Sequence, residues 1–293
     1  MSNPSISQSQ KRRAESVDSL FHGTSLTKEA VLILKSSTDM GVMRNGGRNG
    51  SRLAPRSLLA TLKKMTIPES FPFKSLFEYE VADGELEETD FARAQEKEAQ
   101  RISELLKSEA GFILHLGGGH DHIYPFLMGL KEAKKIIVIN IDAHSGTPFR
   151  QFSRDYQGEM KLFQIGLHPW ANSLSTLEPL KGMSVLWSSE IRDEKKVKEF
   201  FKEISREVTP ETRVIFSLDA DALAGEIVPG VSAVNGQGLS LEHLKKFWAE
   251  YRSLPFTHSP HLGIYELNPV YDTLSALSMR TMGSFIFECL QGK

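Results

Sequence analysis

Short apolar runs alternate with longer amphipathic stretches along most of this chain. Five runs rich in β-branched residues are predicted to be strands, at 30–36, 111–116, 135–141, 213–218 and 261–267. Apolar positions recur with helical spacing between them, most clearly in 91–110, 195–208 and 240–254. Strands that are apolar almost throughout, separated by helices, are typical of a parallel sheet covered on both faces. The pattern therefore predicts a doubly wound, mainly parallel α/β fold.

Neither an internal repeat nor a long low-complexity linker divides the chain. A length of 293 residues is long for one domain, but a single large α/β domain of this size is ordinary. We therefore predict one domain over residues 21–293. Residues 1–20 are polar, with no apolar run behind their basic side chains, which indicates a flexible tail and not a secretory signal.

Net charge limits the possible partners of the protein, and cysteine content indicates its compartment. The 35 basic and 37 acidic residues give a formal charge of −2, so we expect no general attraction to nucleic acid or membranes. No apolar run approaches the ~20 residues that cross a bilayer. The single cysteine, Cys289, excludes an intrachain disulfide and fits a reducing compartment, so we expect a cytoplasmic protein. A homo-oligomer is compatible with this composition.

Polar residues stand at the ends of four predicted strands, where open parallel sheets bind their ligands. Three strands run into the motifs "GGGHDH", "DAHSGTP" and "DADAL", and a fourth carries a glutamate near its end. The potential ligands are His120, Asp142, His144, Asp219, Asp221 and Glu266. Asp-x-His and Asp-x-Asp in extended backbone place both side chains on one face, because strand side chains alternate with period two. Carboxylate together with imidazole suits manganese, zinc or iron, whereas calcium and magnesium sites are mostly oxygen.

Each motif alone is a weak signal. Asp-x-His is common on protein surfaces, and Asp-x-Asp can cap a helix. The glycines before His120 could form a phosphate loop, although G-x-G-x-x-G and the P-loop Lys-Ser/Thr pair are both lacking. Their common position, each at the end of a predicted strand, predicts a metal site.

Several longer stretches resemble the ureohydrolase family of arginases, agmatinases and formimidoylglutamases. "SLDADALAGEIVPGVSAVNGQGLS" (217–240) is similar to the family's Ser-x-Asp-x-Asp-x-x-Asp-Pro signature and its later Pro and Gly-Leu positions. "GGGHD" and "YELNP" match its Gly-Gly-x-His and Glu-x-Asn-Pro motifs. "DMGVMRNGGRNGSRLAPRSLL" (39–59) and "SGTPFRQ" (145–151) look like the formimidoylglutamase branch, which the chain resembles most.

This resemblance implies a three-layer α/β/α fold and a two-manganese site that hydrolyses a C–N bond in a linear amidine or guanidine. It implies that one ion is held by His120, Asp142, Asp219 and a further aspartate. The other would be held by Asp142, His144, Asp219 and Asp221. Water activated between the two ions attacks the amidine carbon in this scheme.

The resemblance also assigns roles toward the substrate. Glu266 matches the glutamate that pairs with the cationic amidinium, so Glu266 and the bridging Asp142 are the implied catalytic residues. The implied substrate contacts of a formimidoylglutamase are Arg44, Asn45, Arg48, Ser145, Thr147, Arg150 and Glu266. Any of the three arginines could hold a substrate carboxylate bidentately, and the alternative is that they are solvated loop residues.

One metal ligand of the family pattern is missing. The family reads Asp-Ala-His-x-Asp, and Gly146 stands where the second aspartate belongs. "SGTPF" follows "DAH" directly, which indicates that an intervening loop has been deleted together with the aspartate. Ala224 and Gly225 replace the Asp-Pro of the later signature, and Gln237 replaces a glycine. Two downstream acidic residues, Asp155 and Glu159, could act as substitute ligands, with solvated surface residues as the alternative.

Five ligands of the family pattern are retained and one is missing, so two classes of function follow. One is a metallohydrolase with a weakened or single-metal centre, which resembles the deacetylase branch of the same fold but lacks its tandem His-His. The other is a non-catalytic relative that serves as a binding or partner subunit, because losing a direct ligand costs more than the 10–100-fold of an outer-sphere change. We predict hydrolysis of formimidoylglutamate, with at most one firmly held manganese ion. His120 is then expected to be free, or hydrogen-bonded to water or to a neighbouring carboxylate.

Overall fold

The computed structural model describes residues 15–83, 90–172 and 183–292. The described strands are β1 (Ala30–Ser37), β2 (Ser75–Asp83), β3 (Phe112–Gly117), β4 (Lys135–Ile141), β5 (Glu159–Ile165), β6 (Met183–Leu186), β7 (Thr212–Asp219) and β8 (His261–Tyr265). They form one eight-stranded sheet in the order β2-β1-β3-β8-β7-β4-β5-β6. All neighbouring pairs in this sheet are parallel.

Helices cover the sheet on both sides. The described α-helices are α1 (Met40–Arg44), α2 (Ala54–Leu62), α3 (Phe91–Leu105), α4 (Ile123–Gly129), α5 (Thr147–Asp155), α6 (Glu194–Glu207), α7 (Leu241–Arg252) and α8 (Leu277–Leu290). Asp90, Asp193 and Ser240 cap the starts of α3, α6 and α7 by accepting backbone N–H bonds there. None of the described helices is both long and apolar enough to cross a bilayer.

Two hydrophobic clusters, one on each face of the sheet, establish the three layers. Along β4, Ile137, Ile139 and Ile141 belong to the larger cluster, whereas Ile136 and Val138 belong to the smaller one. The larger cluster contains the apolar sides of α2, α6, α7 and α8, and the smaller one those of α3, α4 and α5. Because each central strand is buried on both faces, its sequence is apolar almost throughout. The predicted three-layer, parallel α/β fold is confirmed.

The predicted elements agree with the structure in the centre of the sheet and are incomplete at its edges. All five predicted strands and the three named helices are present, with ends shifted by a few residues. The missed strands β2, β5 and β6 include both edges of the sheet. In β2, Glu78 and Glu80 interrupt the apolar run. The strand tolerates them because they pair with Lys35 of β1 at 3.3 and 3.1 Å.

The folded part of the chain begins earlier than predicted. Val17 is fully buried, and its N–H donates to the carbonyl of Met65 at 2.8 Å. Ser16 forms an isolated antiparallel bridge with Thr66. The predicted tail, residues 1–20, therefore extends too far, because Val17 contributes an apolar anchor within an otherwise polar stretch. Residues 1–14 lie outside the described part of the chain.

Candidate metal centre

The predicted ligands converge at the carboxyl ends of four strands that are neighbours in the sheet. The order β3-β8-β7-β4 brings these ends side by side, although the strands are far apart in sequence. His120 lies in a helical turn, His120–His122, that follows β3, and Asp142 directly follows β4. Asp219 is the last residue of β7, and Glu266 follows β8. Sheet order therefore assembles the site.

His120, Asp142 and Asp219 form the first of two ligand groups, and all three side chains are buried. The Nδ1 atom of His120 lies 3.0 Å from Asp219 Oδ2 and 3.2 Å from Asp142 Oδ2. The histidine is thus hydrogen-bonded to a neighbouring carboxylate, which is one of the alternatives that the sequence left open.

Asp142, His144 and Asp221 form the second group, so Asp142 belongs to both. His144 Nδ1 lies 3.4 Å from Asp221 Oδ2 and 3.8 Å from Asp142 Oδ1. The His144 side chain is 45% exposed, whereas Asp142 and Asp221 are buried. The second group is therefore the more accessible of the two, through His144.

The electrostatics of the cluster fit a divalent cation. Burial raises the pKa of Asp219 well above its usual range, and the charges of Asp221 and Asp142 raise it further. Burial also raises the pKa of Asp221, and its Oδ1 atom is buried without a hydrogen-bond partner among the described residues. Three buried carboxylates in contact repel one another unless a positive charge lies between them. An oxygen-rich set with two imidazoles suits manganese, and the ligand atoms within each group lie within 4.8 Å of one another.

The carboxylates raise the pKa values of the two histidines. Burial lowers the pKa of His120, but hydrogen bonds and charges from Asp142 and Asp219 outweigh it and raise the pKa well above its usual value. The hydrogen bond to Asp221 raises the pKa of His144 to about 8, against a smaller effect of burial. Both rings therefore already occupy positions where positive charge is favoured.

Glu266 lies at the edge of this cluster in an unusual backbone conformation. Its φ angle is 65°, in the left-handed region that non-glycine residues seldom adopt. Its N–H donates to the carbonyl of Gly118 at 2.9 Å, and its Oε1 accepts the N–H of His120 at 2.7 Å. Burial raises the pKa of Glu266 to about 7. The glutamate is therefore held against the turn that carries the first histidine ligand.

The two candidate substitute ligands lie elsewhere. Asp155 ends α5 and accepts a hydrogen bond from Tyr124 at 2.9 Å while pairing with Arg154. Glu159 opens β5 and pairs with Lys135 at 3.1 Å, at the amino-terminal edge of the sheet. Seven residues of strand, roughly 20 Å, separate that edge from the metal-binding end. Both residues therefore agree with the alternative of solvated surface residues, because each is paired with a basic neighbour and neither belongs to a ligand group of the described residues.

The connection that lacks the family's aspartate is short. Only Asp142 to Gly146 separate β4 from α5, and Gly146 is the residue that precedes the helix. Within the described ranges, neither ligand group includes an acidic residue beyond Asp142, Asp219 and Asp221. The first group thus keeps one histidine and two carboxylates.

The predicted substrate contacts surround the site unevenly. Ser145 follows His144 in the β4–α5 connection, and Thr147 and Arg150 lie at the start of α5. Arg44 and Asn45 are exposed at the end of α1, with the Arg44 guanidinium 4.9 Å from the centre of the Phe91 ring.

Arg48 has a structural role. Its guanidinium donates to the carbonyls of Val231 and Ser232 and lies 4.0 Å from the centre of the Tyr271 ring. These contacts tie the amino-terminal loop to the loop after β7. The guanidinium is therefore engaged with the backbone through two of its nitrogens, and a contact between Arg48 and a substrate carboxylate stays a prediction.

Two buried polar residues beside the ligands were missed in the sequence. Ser217 Oγ lies 3.0 Å from Nε2 of His120, and Asn140 Nδ2 donates to Asp142 Oδ2 at 3.2 Å. Each stands two positions before an aspartate ligand, within an apolar strand. Period-two alternation places residues i and i+2 on the same face, so this pattern could have identified both.

A model of the arginase family matches residues 30–291 of this chain. The chain belongs to the arginase family. The formimidoylglutamase of Chromobacterium violaceum is 28% identical over 238 residues, which cover 72% of this chain and 72% of that protein. The formimidoylglutamase of Rhodococcus opacus is 28% identical over 284 residues, covering 88% of this chain and 84% of that protein. The predicted resemblance is confirmed.

Two solved structures share the fold. Formimidoylglutamase from Bacillus subtilis superposes with a TM-score of 0.82 at 18% identity, covering 100% of this chain and 96% of that one. Formiminoglutamase from Trypanosoma cruzi, solved with Mn²⁺, superposes with a TM-score of 0.78 at 22% identity, covering 94% of this chain and 97% of that one. An arginase-like fold is thus common to all three.

Proposed function

We propose that this protein is a manganese-dependent hydrolase of linear amidines whose substrate is formimidoylglutamate. Water adds to the amidine carbon, the bond from that carbon to the glutamate nitrogen breaks, and the nitrogen takes up a proton. The products are formamide and glutamate. The observation that carries this proposal is the convergence of five metal-ligand side chains, from three strand ends, beside the carboxylate of Glu266.

The ligand set supports manganese binding with unequal strength at two positions. A bound divalent cation supplies Lewis-acid chemistry and makes hydroxide available near neutral pH. Asp142, His144, Asp219 and Asp221 would hold the firmly bound ion. His120 and the shared carboxylates Asp142 and Asp219 would form a weaker position, because the aspartate that completes it in the family is replaced by Gly146. Activity that depends on both positions is therefore expected to be slow.

Glu266 is suited to orient the amidine. Its carboxylate is fixed at one oxygen by the N–H of His120, which leaves the other oxygen available for an N–H group of the substrate. A cationic amidinium paired with a carboxylate forms a charge-assisted hydrogen bond, stronger than a neutral one. The buried surroundings of Glu266 strengthen this attraction, since screening by water is reduced there.

The glutamate end of the substrate needs a different partner. Arg44 and Arg150 are the arginines that we propose for its carboxylates, since the guanidinium of Arg48 is engaged with backbone carbonyls. Ser145, Thr147 and Asn45 would add hydrogen bonds from the same loops.

The similarity to relatives that are named as enzymes favours hydrolysis over the alternative of a non-catalytic subunit. Homo-oligomer formation and a cytoplasmic location stay predictions.

We expect the protein to prefer formimidoylglutamate to arginine and agmatine. Purified protein supplied with Mn²⁺ is assayed for formamide from the first substrate and for urea from the other two. Asp142→Asn protein, purified in parallel, controls for contaminating enzymes. A higher kcat/KM for urea release from arginine would contradict the proposed substrate.

A further inference from the structure

A chain of buried polar side chains lies behind His120, outside the ligand set. It consists of Tyr265, His115, Ser36, Glu98 and His122, all less than 4% exposed. Glu98 comes from α3, a helix that contributes no predicted ligand, and its carboxylate is hydrogen-bonded to both Ser36 and His122. Polar groups that are fully buried cost stability unless they are hydrogen-bonded, and here they bond to one another.

One arm of the chain leads from Glu98 to Tyr265. The hydroxyl of Ser36 donates to Glu98 at 2.5 Å, so its oxygen accepts from His115 Nε2 at 2.8 Å. His115 Nδ1 then accepts the hydroxyl of Tyr265 at 2.9 Å. Burial, with the charge of His122, lowers the pKa of His115 well below its usual value, which keeps one ring nitrogen as an acceptor. Each donor in this arm therefore has one acceptor, and the carboxylate of Glu98 is the acceptor at the end of the arm.

The other arm leads from Glu98 to His122. His122 Nδ1 donates to the Glu98 carboxylate at 2.8 Å, and its Nε2 lies 3.1 Å from the hydroxyl of Thr38. His122 shares a single helical turn with His120. Glu98 therefore fixes the end of the turn whose first residue is a metal ligand.

Both arms end on His120. The ring of Tyr265 is stacked on the His120 ring, with 5.0 Å between centroids and 23° between planes. On the other side, the turn held by His122 directs the N–H of His120 to Glu266. His120 in turn hydrogen-bonds the ligand Asp219. A displaced His120 would thus displace a carboxylate ligand and the amidine-binding glutamate together.

We propose that Glu98 is a positioning residue for the metal centre, which fixes the ring of His120 through Tyr265 and its backbone through His122. Glutamine at this position keeps the shape of the side chain but replaces one carboxylate oxygen by an NH2 group. Ser36 and His122 both donate to the carboxylate, so one of them would then face another donor. The polar chain would have to rearrange, and His120 would lose support on both sides. Glu96 offers a matched control, because it is on the same helix and is exposed.

The first measurement uses metal-free protein, so it does not depend on the proposed function. Imidazole nitrogen NMR of wild type, Glu98→Gln and Glu96→Gln is compared, with His120 signals assigned by their absence in His120→Ala. We expect the His120 signals of Glu98→Gln to shift and broaden, while those of Glu96→Gln match wild type. Unchanged His120 signals in folded Glu98→Gln would overturn the proposal.

The second measurement titrates each protein with Mn²⁺ and follows the free ion by electron paramagnetic resonance. Affinity should fall about tenfold in Glu98→Gln and stay constant in Glu96→Gln, as for other outer-sphere partners of metal ligands. Equal Mn²⁺ affinities of Glu98→Gln and Glu96→Gln would show that Glu98 does not support metal binding, a consequence that rests on the proposed metal centre. Wild type that binds no Mn²⁺ would refute that centre, and the NMR comparison would still decide the role of Glu98.

A second variant covers the case in which Glu98→Gln does not fold. Tyr265→Phe keeps the ring beside His120 and removes only the hydroxyl that donates to His115. The same shift of His120 signals is expected, with smaller amplitude because the His122 arm is intact. His120 signals identical to wild type would overturn the proposal.

Discussion

Replacing Asp142 by asparagine is expected to abolish measurable amidine hydrolysis and to weaken Mn²⁺ binding by more than about 100-fold. Asp142 belongs to both ligand groups, with one oxygen toward His120 and the other toward His144. Its loss therefore affects both metal positions. Asparagine keeps the size of the side chain and the acceptor for the His144 N–H, but removes the charge.

The melting temperature of Asp142→Asn protein should not respond to Mn²⁺. An ion that binds only the folded protein raises its melting temperature, so this stabilisation should disappear when the ion is no longer held. Asp155→Asn is the matched control and should show the same rise with Mn²⁺ as wild type. Asp142→Asn protein that still hydrolyses amidines, or that Mn²⁺ still stabilises, would contradict this account of the cluster.

Replacing Glu266 by glutamine should lower kcat/KM for formimidoylglutamate by roughly 10- to 150-fold, with Mn²⁺ content unchanged. The charge-assisted hydrogen bond to the amidinium is worth ~1.5–3 kcal/mol, which corresponds to that range. The glutamine oxygen can still accept the His120 N–H, so the backbone contact of Glu266 is retained. Steady-state kinetics and metal content of the two proteins measure the effect.

A purely structural role for Glu266 predicts a different outcome. Its left-handed backbone and its bond to His120 would then be the reason for its presence. Glu266→Gln would melt much earlier than wild type while its kcat/KM stayed the same. That combination would rule out a direct contact with the substrate.

The sequence was sufficient to predict the centre of the fold. Strands such as Lys135–Ile141 are buried on both faces, so their composition alone distinguishes them. Edge strands have one solvated flank, and Glu78 and Glu80 in Ser75–Asp83 are stabilised by Lys35 of the neighbouring strand. That neighbour is fixed by sheet order, which a local pattern does not encode.

The site was predicted to the extent that its residues follow strands. His120, Asp142, His144, Asp219 and Asp221 all converge, because parallel strands deliver their carboxyl ends to one edge. For Asp155 and Glu159 the sequence left two alternatives open, because closeness in sequence does not determine whether a residue reaches that edge. Glu98 could not have been found, since its contacts with Ser36 and His122 depend on how α3 packs against the sheet.

The manganese content of the purified protein tests the central claim most directly, namely that the chain retains one complete metal position and one incomplete position. The protein is loaded with Mn²⁺, dialysed extensively against metal-free buffer and analysed for metal per chain. We predict one retained equivalent in wild type and none in Asp142→Asn. Two retained equivalents would show that another residue completes the position at His120. No retained metal in wild type would contradict a functional metal centre and favour a non-catalytic role.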